Sequence, residues 1–136
     1  MYRLLVGCTR HYCYVVLICG ISLFLSCYAD DLKAALKHKA GKANELVNLD
    51  RYEEIRAMMS ESLKQKITQQ LFDNVDSTTK AMIGEFVHPI DTSETTVNGV
   101  VIWSVRNQYL HGIRTTTFQF DESGLLVHMF SIPAKN

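Results

Sequence analysis

No cysteine lies beyond residue 27. All four, Cys8, Cys13, Cys19 and Cys27, fall in the first 29 residues, so once that stretch is removed no internal disulfide can brace the fold. Charge is distributed just as unevenly. Arg3 and Arg10 are the only charged residues before Asp30, although the whole chain is formally neutral, with 14 basic and 14 acidic residues. The cluster Lys33, Lys37, Lys39 and Lys42 has no aromatic residues among it. It reads as a solvated helix face, and nucleic-acid binding is not expected. Gly84 and Gly99 are isolated, which excludes a glycine-rich phosphate loop. His38, His88, His111 and His128 are too scattered for metal-ligand spacing. No spacing brings a nucleophile to a base, so no catalytic residue, cofactor or metal ligand is assigned and a non-enzymatic role is expected.

The missing charge leaves an uncharged, largely apolar run from Tyr14 to Leu25. Twelve residues make about 18 Å of helix against a hydrocarbon core of about 30 Å, too short to span a bilayer comfortably. With a basic start and a small-residue exit, residues 1–29 read as a secretory leader or lipoprotein signal. Cleavage after Ala29 would begin the mature chain at Asp30. Cleavage before Cys27 would use L23–F24–L25–S26–C27, which resembles a bacterial lipoprotein signal and makes Cys27 the expected lipidation site. The expected localisation is export to the periplasm, with outer-membrane anchoring through Cys27. Membrane association is expected only through that lipid anchor or an uncleaved leader.

Residues 30–49 carry Leu32, Leu36, Ala40, Ala43 and Val47 at helical intervals but little apolar area, which predicts a weakly helical stalk before a small α+β domain over residues 50–136. Asp50 and Glu53 suit a capping box for a helix from about Arg51 to Phe72. Its apolar stripe, Ile55, Met59, Leu63, Ile67 and Leu71, recurs every four residues. D73–N74–V75–D76–S77 then breaks the pattern. Ser77 or Thr78 would cap a short third helix that ends at His88–Pro89, and the polar tract Ile90 to Thr96 reads as an exposed contact loop.

Three β-branched and aromatic segments follow, 97–105, 113–120 and 125–132, the last two joined by a D121–E122–S123–G124 turn. Val101, Trp103 and Val105 share one face, and Arg114, Thr116, Phe118 and Phe120 alternate with Thr115, Thr117 and Gln119, which gives a meander with one apolar face. The expected fold class is therefore α+β, with N-terminal helices packed on a three-stranded antiparallel meander. Ile55, Met59, Leu63 and Ile67 should bury its apolar face, sharing the core with Trp103 or Phe118.

Thr78, Met82, Phe86 and Pro89, then Trp103, then Phe120, Asp121 and Gly124 occur at intervals similar to those of the small outer-membrane lipoprotein domain family of SmpA, OmlA and BamE. The resemblance covers about residues 76–132. It implies a capped short helix before a three-stranded meander and a scaffold role in envelope protein assembly, with an envelope or secreted protein as partner. A second resemblance, to cystatin-like or NTF2-like α+β layers, places the long helix on the concave face of the sheet and implies a ligand-binding domain. A secreted inhibitor or exclusion-type protein is a further alternative. For a protein contact, the Asn107–Gly112 turn is the favoured surface, with Tyr109 offering apolar area and a hydroxyl, and Arg106 and His111 offering charge.

Overall fold

The computed structural model describes residues 30–135, so the leader and its Cys27 lie outside the described residues. Among the described residues, those from Leu36 onward form one compact unit, which holds the whole sheet. Helix α1 covers residues 30–48. It is followed by α2 (Tyr52–Met58), α3 (Glu61–Lys66), α4 (Gln69–Ile83), β1 (Phe86–Val97), β2 (Val100–Tyr109), β3 (Gly112–Phe120) and β4 (Leu126–Lys135). The architecture is α+β: N-terminal helices packed against one open antiparallel sheet in the order β1-β2-β3-β4.

The meander thus has four strands, and the extra one is the tract expected to be a loop. Ile90 to Thr96 lies inside β1, whose partners run from Phe86 opposite Tyr109 to Val97 opposite Val100. Thr92, Thr95, Thr96 and Val97 are β-branched, and Asn98 and Gly99, with φ of 52° and 80°, form the two-residue turn that returns the chain antiparallel. Asn-Gly is the usual chemistry of such a turn because both central residues need positive φ. Pro89 is accommodated in this edge strand beside a register shift between Pro89 and Asp91.

The inner face of the sheet is set by alternation. Trp103 stands opposite Phe118 and Phe118 opposite Met129; Val105 faces Thr116 and Thr116 faces Ser131; Asn107 faces Arg114. Trp103, Val105, Phe118, Phe120 and Leu126 are all buried there with Ile55, Met59 and Leu63. Ile67 packs at the edge of the same core. Ile55, Met59, Leu63 and Ile67 of the expected stripe therefore cover the sheet, although not on one helix, while Leu71 is exposed.

The expected single helix from Arg51 to Phe72 is broken twice. Met59 is extended, with ψ of 148°, and forms a parallel bridge to Leu126, while the Ser60 N–H donates to the Leu126 carbonyl at 2.8 Å. Sheet pairing at this point replaces helical hydrogen bonds. Ser60 then caps α3 through its hydroxyl, and Thr68 caps α4. The Asp50–Glu53 box does not form. Arg51 occupies the cap of α2 without a side-chain capping bond, and Asp50 has φ of 56° and binds Lys80 instead. Neither Ser77 nor Thr78 caps a separate helix, because D73–N74–V75–D76–S77 continues α4, which ends at Gly84 rather than at Pro89. In the stretch expected as a stalk, Ala40, Ala43, Leu46 and Val47 are buried in the core, and Lys39 donates to the Gly124 carbonyl at 2.9 Å. Two alanines at the contact let α1 lie close to the sheet, so residues 36–48 belong to the packed unit.

Candidate functional site

Two chemistries meet under the helices. Toward the end of β2, Asn107 is fully buried. Its Nδ2 donates to Asn44 Oδ1 at 2.8 Å, and its Oδ1 accepts from Asn44 Nδ2 at 2.9 Å and Asn48 Nδ2 at 3.3 Å. A reciprocal amide pair of this kind fixes α1 on β2, since buried amides must find partners. Beside it the Tyr109 hydroxyl donates to Asn48 Oδ1 at 2.9 Å and accepts from Arg114 Nη1 at 3.1 Å. Burial pushes the Tyr109 phenol up from its ordinary value, with Arg114 opposing the shift.

Arg114 is only 3% exposed. Its Nη2 donates to Ser131 Oγ at 3.3 Å, and Nη1 lies 3.7 Å from Asp76 Oδ1. The buried Nε has no acceptor among the described residues. Asp76 projects from α4 into the same place, where Lys80, one turn on, bridges Asp76 Oδ2 and Asp50 Oδ2, each at 2.8 Å. Burial pushes the Asp76 carboxyl up despite its bond to Lys80, and Asp50 adds to the rise. The two carboxylates together hold the Lys80 ammonium well above its ordinary value.

Asp76, Arg114 and Ser131 form the polar floor of a cleft of about 270 Å³ between α4 and the β3–β4 edge. Ile67, Leu71, Phe72 and Val75 make the helical wall, Met129 and Phe130 the strand wall, and Asp76, Arg114 and Ser131 the polar part. Leu71, Val75 and Phe130 are exposed at its mouth. An apolar cleft with a few convergent polar groups is the usual form of a small-molecule site. No histidine lines it, and among the described residues no group of three or more histidine, cysteine, aspartate or glutamate side chains is placed to hold a metal ion.

The residues expected to form a contact surface are placed differently. Tyr109 is buried, held by Asn48 and Arg114, and therefore offers no surface to a partner. Arg106 is exposed and pairs with Asp91 at 3.1 Å on the opposite side of β2. His111 is exposed in the Leu110–His111 turn, which is anchored by the His111 N–H to the Ile83 carbonyl at 2.8 Å. Strand alternation thus separates Arg106 from Tyr109, and the three do not form one patch. The cleft residues were missed in the sequence reading, though one signal was present. Arg114 is in phase with Phe118 and Phe120, so a charge sits on an otherwise inward face.

No curated protein and no solved structure matches the chain. Residues 40–129, which are 90 of the 136, match the model of a family described as a protein of unknown function, DUF3887. The matched stretch includes the Asn44–Asn107 pair, Asp76, Arg114 and every lining residue of the cleft except Phe130 and Ser131. The chain belongs to this DUF3887 family.

Proposed function

We propose that this protein is an exported, non-enzymatic binding domain that takes up a small, mainly apolar molecule in the cleft between α4 and the β3–β4 edge. One observation carries the reading: an apolar cleft whose only polar lining is a buried arginine beside an aspartate and a serine. The order of residues supports export, with a basic start, a short apolar run and small residues before Asp30. Anchoring through Cys27 and a role in envelope assembly are extensions of this proposal that rest on motif spacing alone.

The test uses the neutral fluorophore 1-aminoanthracene. The expected result is saturable uptake of one probe per chain, abolished by Val75→Trp, which fills the cleft from a partly exposed position on α4. Uptake that does not saturate, or that the tryptophan leaves unchanged, would remove the cleft as a binding site. For export, the mass of the mature N-terminus should show loss of residues 1–29 or acylation at Cys27; an intact Met1 to Ala29 on most of the mature protein would reject it.

A further inference from the structure

Resting on the cleft-binding reading, we propose that the natural occupant is an uncharged amphipath whose head both accepts and donates hydrogen bonds, such as a primary carboxamide or an alcohol. The floor already has balanced charges. Arg114 supplies its one positive group and Asp76 its one negative group, 3.7 Å apart, while outside the cleft lining Lys80 pairs with Asp76 and Asp50, each at 2.8 Å. An anionic head would add a second negative charge beside Asp76, and a cationic head a second positive charge beside Arg114. Either would be buried without a counter-charge, which is far costlier than burying a neutral polar group that is hydrogen-bonded.

Hydrogen-bond chemistry narrows the head further. Arginine side chains only donate, so a head that lies against Arg114 needs an oxygen. The Asp76 carboxylate only accepts when ionised, so a head that carries an N–H or O–H beside its oxygen complements both residues at once. An ether or ester would satisfy the arginine alone. The body follows from size and lining. The cleft's 270 Å³ is nearly twice the cavity of about 150 Å³ that admits benzene, so it suits an apolar body of around ten heavy atoms. Leu71, Val75 and Phe130, exposed at the mouth, would be covered by that body.

Four eight-carbon probes separate these heads on the full chain by calorimetry at pH 7: octanamide, 1-octanol, octanoate and octylamine. Octanamide and 1-octanol should each bind at least about tenfold tighter than either charged probe, through contacts that Val75→Trp blocks. Octanoate or octylamine binding as tightly as the neutral pair would overturn the neutral-head inference while leaving cleft binding intact, provided the tryptophan still blocks it. Uptake of 1-aminoanthracene with no binding of any eight-carbon probe would also overturn the inference alone. Failure of all five probes would remove both the inference and the cleft.

Discussion

The two ends of the helix–sheet interface are held by opposite chemistry. At one end Trp103, Phe118 and Leu126 meet Ile55, Met59 and Leu63, and nearly everything in contact is apolar. At the other, Asn107, Tyr109, Arg114 and Thr116 occupy the same inward register on β2 and β3, and their partners are Asn44, Asn48, Asp76 and Ser131. Both ends are buried, but they constrain the molecule in different ways. Apolar burial is non-directional and tolerates small rearrangement, whereas an amide pair or a guanidinium fork requires one geometry. The polar end therefore positions α1 and α4 against the sheet, and the cleft opens beside it.

The largest expected effect lies at the apolar end. Phe118 is fully buried at the centre of the inner face, and Phe118→Ala should cost about 3–5 kcal/mol, measured by urea unfolding. A loss below about 1 kcal/mol would mean that the core does not depend on this end. Next comes the amide pair. Asn107→Ala leaves both polar groups of the buried Asn44 side chain without Asn107 and should cost about 1–3 kcal/mol, while the double replacement Asn44→Leu with Asn107→Leu should recover more than half of that loss. A double variant less stable than the single one would show that the pair contributes stability in its own right rather than geometry.

The smallest effect, and the most specific, concerns pH. Lys80 and Tyr109 are both raised above their ordinary values in the folded protein. A raised value means the folded state holds its proton longer than the unfolded chain does. Their contribution is therefore complete below the unfolded values, about pH 10 for each, and is lost as pH rises through the folded values. Stability should fall above about pH 10. Tyr109→Phe removes two hydrogen bonds at a cost of about 1 kcal/mol at pH 7, and it should flatten part of the alkaline decline. An unchanged alkaline slope in that variant would place the titration elsewhere.

Residue periodicity by itself determined which side chains enter the core. Ile55, Met59 and Leu63 are buried as their four-residue spacing requires, and Trp103, Val105, Phe118 and Phe120 are buried as strand alternation requires. The positive φ of Gly124 was equally legible in its turn. The Asn98–Gly99 turn was written in the chain as well, and reading through it as strand cost the recognition of β1. Spacing could not decide the backbone that delivers those side chains. Met59 is apolar and in phase with either a long helix or a broken one, and only pairing with Leu126 across the fold selects the break. The same holds for the site. Asp76, Arg114 and Ser131 are 38 and 17 residues apart in sequence, and each alone is an ordinary polar residue. Their convergence exists because α4 lies across the β3–β4 edge, a relation set by long-range packing and the buried amide pair that no local pattern encodes.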